Sequence, residues 1–197
     1  MYIQIAAEDP LGRAVMQRIV SDAVPHAELH FTACRGNDYL KQKFSAFATI
    51  AQHQNPVVVI TDLDQFPCAT ALMAHWKIRQ PLPAGLLFRV AVHEVESWLL
   101  ADRAGFSKLF GIPQQKLPGT PDSVSDPKEL VIQLARSSRL KSIRLGIAPA
   151  PGAAASKGFQ YNEILTQFVL NAWDYQAACR NSDSLARAVH RIAQLAE

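Results

Sequence analysis

Val57-Val58-Val59-Ile60-Thr61-Asp62-Leu63-Asp64 decides the fold. Four consecutive β-branched residues with no polar face mark a central parallel strand covered on both sides, since a strand with one wet face would alternate. The run ends abruptly in two aspartates. Working outward, Met1 to Ala7 is short and apolar and is followed by Glu8-Asp9-Pro10, where Asp9 caps a helix and Pro10 suits its first turn. Leu11, Ala14, Val15, Ile19 and Val20 then recur near helical spacing, so this helix lays one face on a core. Glu28 to Cys34 alternates and reads as a second strand. Asp38 is placed to cap another helix through Leu40, Phe44, Phe47 and Ile50, which ends at Asn55-Pro56.

Downstream, a helix around Ala69 to Arg79 leads through Pro81-Leu82-Pro83-Ala84-Gly85 to a strand from Leu86 to Val92. This is a repeated βαβ scheme. The expectation is an α/β fold with a mostly parallel four-stranded sheet, helices on both faces, and a helical C-terminal extension. Val95 to Phe110 reads as helical with a break near Asp102, and Pro113 to Pro127 is rich in proline and turn formers. Helices return at Lys128 to Ser137, Tyr161 to Trp173 and Ser184 to Ala196. The stretch from Ala148 to Gly158, dense in alanine, proline and glycine, is the most flexible in character. The sheet domain is set at residues 1–110 and the extension packed on it at 111–197.

The chain has 197 residues, 49% hydrophobic and 19% charged, which fits a compact protein rather than a disordered one. No stretch approaches the roughly 20 apolar residues of a membrane-spanning helix, and Met1-Tyr2-Ile3-Gln4-Ile5 has no basic lead, so a cytoplasmic protein without a membrane partner is expected. Cys34, Cys68 and Cys179 are odd in number and far apart, which excludes a disulfide framework and a structural zinc. Residues 1–102 hold 8 Lys/Arg against 10 Asp/Glu, and residues 103–197 hold 12 against 7. From Leu130 to Asn162 there is no acidic residue, while Arg136, Arg139, Lys141, Arg144 and Lys157 fall in that interval. A phosphate-facing surface and a solvated helix face both fit this pattern.

Ligands of an open parallel sheet collect at the carboxyl ends of its strands, where loops converge and helix N-termini point. Glu8 ends the first strand, Asp62 and Asp64 end the most hydrophobic one, and Glu96 follows the last. Residues two apart on an extended segment face one side, so Asp62 and Asp64 can address one cation if the strand continues, with Leu63 turned into the core. Like charges held together raise one another's pKa unless a cation neutralises them. Hard oxygen donors without a Cys or His cluster favour Mg²⁺ or Mn²⁺ over zinc. An Asp after a buried strand also serves simply as a cap or turn residue.

Glu8 after a first strand, then Val57-Val58-Val59-Ile60 and Asp62-Leu63-Asp64, resembles the Toprim domain of topoisomerases, primases and OLD-family nucleases. His93-Glu94-Val95-Glu96-Ser97-Trp98-Leu99-Leu100-Ala101-Asp102 is similar to the Glu-x-x-Leu-Leu segment of small stand-alone OLD-like Toprim proteins of bacteria. The resemblance covers about residues 1–110 and, weakly, Tyr161-Asn162-Glu163. It implies that Asp62 and Asp64 bind Mg²⁺, that Glu8 completes the metal site or acts as general acid/base at a phosphodiester, and that Glu96 is a further ligand or supports the others. It also implies a nucleic-acid substrate, DNA or RNA, and a separate ATPase as the partner if the chain is a low-activity effector. Two departures stand out: Asp9-Pro10 follows Glu8 where the family usually has a glycine, and position 66 is Phe66 rather than a third acid.

A haloacid-dehalogenase-type phosphatase is a further alternative, but its Asp-x-Asp should follow the first strand and continue to Thr or Val. Here it follows the third strand and runs into Gln65-Phe66. Topoisomerase and full primase activities need domains for which this chain has no room. Tyr161, Leu165, Phe168 and Trp173 read as one buried helix face rather than a nucleophile site, and Trp98 with Leu99 and Leu100 reads as core. Glu96 beside that apolar run must find a partner. The six histidines form no His-x-x-x-His pair; only His93 is placed to reach the acids, and a surface or core-capping role fits it better. Lys157 and Arg144 are the candidates for contact with a substrate phosphate.

Overall fold

Strands β1 (Tyr2–Ala7), β2 (Glu28–Phe31), β3 (Val57–Asp62) and β4 (Leu86–Ala91) form one wholly parallel sheet in the order β2-β1-β3-β4. The computed structural model describes residues 1–196. Side chains alternate across the sheet as the pleat demands. Ile3, Ile5, Val58, Ile60, Leu87 and Ala91 enter the larger core, while Ala6, Val57, Val59, Leu63, Leu86 and Phe88 enter a smaller one on the opposite face. The uniform apolar character of β3 is thereby explained. Both of its faces are dry.

Helix α1 (Pro10–Ala23) connects β1 to β2, and α2 (Asn37–His53) carries the chain back past β1 to β3. Because parallel crossovers are right-handed, reversing direction puts α1 and α2 on opposite faces. Leu11, Val15 and Ile19 accordingly join the larger core and Leu40, Phe44 and Phe47 the smaller. The reversal leaves a crevice between the carboxyl ends of β1 and β3, the usual place for a ligand in such sheets. There Ala7 lies opposite Ile60, so Glu8 emerges beside Thr61 and Asp62.

Asp9 caps α1 as its position predicts, its Oδ1 accepting from Gly12 N at 2.8 Å, with Pro10 opening the helix. Asp38 does not cap α2. Gly36, at φ 80°, occupies the cap position, and Asp38 lies in the first turn. That left-handed conformation suits glycine and lets Gly36 N donate to Glu8 O at 2.9 Å. Strand β2 stops at Phe31 rather than Cys34, because as an edge strand it pairs only with β1. Helix α3 (Ala69–His75) ends one turn before Arg79.

Beyond β4 come α4 (Val95–Ala101), α5 (Arg103–Phe110), α6 (Pro127–Arg136), α7 (Lys141–Ile147), α8 (Tyr161–Asn171), α9 (Tyr175–Ala178) and α10 (Asp183–Ala193). The break near Asp102 is real. Its carboxylate accepts from Gly105 N at 2.9 Å and Asp174 N at 3.0 Å, starting α5 and tying it to the segment before α9. Helices α8 and α10 pack on α1, and α10 also packs on β4, so the C-terminal helices complete the larger core. Helices α7 and α9 were not expected. The Pro-rich stretch forms short 3-10 turns at Gln114–Lys116 and Pro121–Ser123. No helix among the described residues is long and apolar enough to cross a membrane.

Candidate functional site

Glu8 leaves the end of β1 half-buried, and its Oε1 collects the donors that converge there. Asp62 N donates at 3.0 Å and Asn37 Nδ2 at 3.3 Å, and the Thr61 hydroxyl donates as well. Burial pushes the Glu8 carboxyl up, the Thr61 and Asp62 hydrogen bonds pull it back, and Asp64 and Asp9 raise it again; the net direction is up. Asp62 sits one strand over, with Oδ1 accepting from Val95 N at 2.9 Å in the first turn of α4. Its carboxyl is pushed well above the ordinary range by burial first, then by Glu96 and Glu8. Acids from β1 and β3 therefore meet at the crevice.

Asp64 departs from the expected geometry. Leu63 does turn into the core, at 3% exposure, but β3 ends at Asp62 and Asp64 takes φ 50°, a left-handed conformation that Asp tolerates better than most residues. Its N–H donates to His93 O at 3.0 Å and its side chain is exposed at the rim. The two aspartates thus do not share a face by strand alternation. Partial burial and then Glu94 raise the Asp64 carboxyl, with Lys128 opposing. His93 stands near the acids, its Nδ1 lying 3.3 Å from Asp64 O.

Glu96, in the first turn of α4, is buried at 3% exposure and finds the partner its apolar surroundings demand. The Tyr161 hydroxyl donates to its Oε1 at 2.8 Å. Burial raises the Glu96 carboxyl, and Lys128 and Tyr161 hold the rise back. The Tyr161 phenol is itself pushed far up by burial and by Glu96, so it stays a donor. Lys157 stands one residue further out: its Nζ lies 5.1 Å from the centre of the Tyr161 ring and donates to Asn162 Oδ1 at 2.9 Å. Arg144 is not brought to the acids. It lies exposed on α7 and donates to Ser138 O at 2.7 Å.

The residue that sequence reasoning missed is Lys128. From the first turn of α6 its Nζ lies 2.9 Å from Glu94 Oε1, while its backbone N donates to Glu94 Oε2 at 2.8 Å. Burial pulls its ammonium down, but Glu96, Glu94 and Asp62 outweigh this and the net direction is up. One lysine thus offsets part of the charge of four acids. Ser97 was also missed: its Oγ lies 2.5 Å from Val92 O and 2.8 Å from Glu94 O, fixing the turn that presents His93 and Glu94.

Among the described residues, no three His, Cys, Asp or Glu side chains stand together closely enough to hold one metal ion. The fit to a divalent cation is one of charge and donor type. Hydrogen bonds to the Glu8 and Asp62 side chains go to Oε1 and Oδ1, so Glu8 Oε2 and Asp62 Oδ2 have no protein donor among the described residues, and neither is sealed from solvent. Both are hard oxygens on carboxyls whose charged form is disfavoured, which suits Mg²⁺ or Mn²⁺. Glu8 and Asp62 are the two expected ligands that offer such oxygens at the crevice, whereas Asp64, exposed at the rim, does not stand with them as a third.

Removing the Tyr161 donor tests the buried acid. Tyr161→Phe is expected to cost about 1–3 kcal/mol, the range for a buried acceptor left unpaired. The folded Glu96 carboxyl has a raised pKa, so its favourable contribution is full below the ordinary carboxylate value and is lost as pH rises through the raised one. The variant's deficit should therefore be larger at pH 8 than at pH 5 in urea unfolding; equal deficits would mean that Glu96 is not the group affected.

Comparison with protein-family models, with curated proteins and with solved structures finds no match to this chain, so a functional reading rests on the crevice between β1 and β3.

Proposed function

We propose that this chain is a metal-dependent phosphodiesterase of Toprim type that acts on nucleic acid. The observation that carries the reading is the bond from Asp62 N to Glu8 Oε1, which joins acids 54 positions apart where the sheet reverses direction. In this reading Glu8 and Asp62 would offer oxygens to Mg²⁺ or Mn²⁺, Asp64 would have to swing in from the rim to join them, and buried Glu96 adds negative charge near Asp62. The cation, when bound, lowers the pKa of water and offsets charge gathering on phosphorus and the leaving oxygen. Where Glu8 Oε2 is not engaged by the cation, Glu8 is instead suited, with its raised carboxyl, to take a proton there from an attacking water and return it to the leaving group. Thr61, Asn37 and the Asp62 N–H keep its other oxygen fixed.

Features beside the crevice support a polyanionic substrate. Arg13 lies 5.8 Å from the Phe31 ring centre and Arg35 lies 5.7 Å from that of Tyr39, both near the carboxyl end of β2. Cations beside aromatic rings, exposed at Phe31 and half-buried at Tyr39, suit a sugar-phosphate backbone and stacked bases. The test is cleavage of supercoiled DNA and of single-stranded RNA by the purified chain with Mg²⁺ or Mn²⁺, with chelation as control. A crystal soaked in Mn²⁺ should place anomalous signal between Glu8 and Asp62. Signal elsewhere would remove the site assignment.

A second reading is a Toprim-like module with little activity alone, working with a separate ATPase. Lys128 favours it, because an ammonium that already offsets Glu94, Glu96 and Asp62 leaves less charge for a cation. Stable co-purification with an ATPase, and turnover only in its presence, would select this reading. Robust turnover by the isolated chain would exclude it.

A further inference from the structure

Away from the acids, the open edge of β4 carries a cluster of positive charge. Arg89 lies in mid-strand opposite Ile60, on the same side as Leu87 and Ala91, which face α10. Arg187 and Arg191 are four apart on α10, hence on one face of it, and both are exposed while Leu185, Ala188 and Ile192 bury the other. Arg89 and Arg191 together line a pocket of about 310 Å³, to which Gln80, Leu82 and Pro83 also contribute.

Among the described residues, no carboxylate answers them: none of the three arginines forms an ion pair, and Arg89 Nε is buried without a hydrogen-bond partner. Arg191 Nη1 donates only to the Gln194 side chain, at 2.5 Å. Burial, then Arg191 and Arg187, all act against the charge on Arg89. A guanidinium does not shed its proton in a protein, so the conflict stays as repulsion and a missing acceptor. Both defects would be relieved by the same thing, an anion with several oxygens.

We propose that Arg89 and Arg191 form a binding site for a phosphate-type oxyanion, seated in the pocket at the open edge of β4, with Arg187 one turn back on α10 adding positive charge beside it. Guanidinium forks match phosphate oxygens two at a time, and two of them with a third positive charge nearby suit a polyvalent oxyanion better than one carboxylate. The source is a monoester or free phosphate on one hand, or a backbone phosphodiester on the other. The site does not depend on the acidic crevice.

The test compares melting of the whole chain in inorganic phosphate and in chloride at equal ionic strength. Wild type should melt higher in phosphate. The Arg187→Gln/Arg191→Gln variant changes exposed positions only, so it should stay folded and lose at least tenfold in phosphate affinity by calorimetry. In phosphate-free buffer of low ionic strength it should melt at or above wild type, because repulsion is removed; a merely structural pair of arginines would lower melting in both buffers. Competition by an oligonucleotide lacking terminal phosphates marks the diester as the source, and failure of that oligonucleotide to compete marks the monoester. Equal melting of wild type in phosphate and chloride, or a phosphate response kept by the variant, overturns the site. Asp62→Asn should leave the response intact, which separates this site from the crevice.

Discussion

Asp62→Asn should abolish metal-dependent cleavage while leaving the protein folded and at least as stable as wild type. The amide keeps an oxygen to accept from Val95 N, so the first turn of α4 stays anchored. What disappears is a negative charge whose presence burial, Glu96 and Glu8 all oppose. Removing it relieves the fold at neutral pH and removes a donor to the cation. Loss of a few kcal/mol of transition-state stabilisation corresponds to a rate reduction of roughly 10²- to 10³-fold. The pairing of outcomes matters more than either alone. Inactivity with unchanged or higher melting temperature assigns Asp62 to chemistry, inactivity with lower melting assigns it to structure, and retained activity in an Asp62→Ala/Asp64→Ala protein removes the site altogether.

Lys128→Met should lower stability through several acids at once. It strands Glu94 and leaves Glu96 and Asp62 without their nearest positive charge. Breaking a fully buried pair costs about 3–5 kcal/mol. Because the Lys128 side chain is 36% exposed, solvent screens part of this and about 2 kcal/mol is expected near pH 8. The sign with pH follows from the acids. Their folded-state pKa values are raised, so each favours the folded state fully below its ordinary value and less as pH rises through the raised one. Removing the ammonium raises them further, hence the deficit should shrink toward pH 5. Mg²⁺ gives a second readout: a cation that takes over the role of Lys128 should raise the melting temperature of Lys128→Met more than that of wild type. An equal rise would mean that metal and ammonium do not answer the same charges.

Most of the architecture was legible because it depends on neighbours in sequence. A run such as Val57 to Ile60 carries its burial in composition, Asp9-Pro10 carries its own cap, and Asp102 announces the end of one helix and the start of another. The shortfalls have a common origin in partners far along the chain. Strand β2 is shorter than its alternation because the sheet offers it one neighbour only. Helix α7 has seven residues and is held by packing on α6 and α8, so its own periodicity is too brief to read. At the site, the order of Glu8, Asp62 and Glu96 along the strands was readable, and Tyr161 answers the need for a partner that Glu96 announced. Lys128 was not, since its ion pair spans 34 positions and no local pattern marks it. Asp64 failed for the opposite reason: alternation is local, but one left-handed residue redirects it.

The larger core has a bearing on how the chain is made. Leu87 and Ala91 of β4 share it with Leu185 and Ile192 of α10, so that side of β4 is sealed only once α10 has been made. Contacts so distant along the polymer slow the final step of folding and prolong the exposure of sticky intermediates. A nascent chain halted before Asp183 would present an apolar slab to solvent, a natural client for a chaperone.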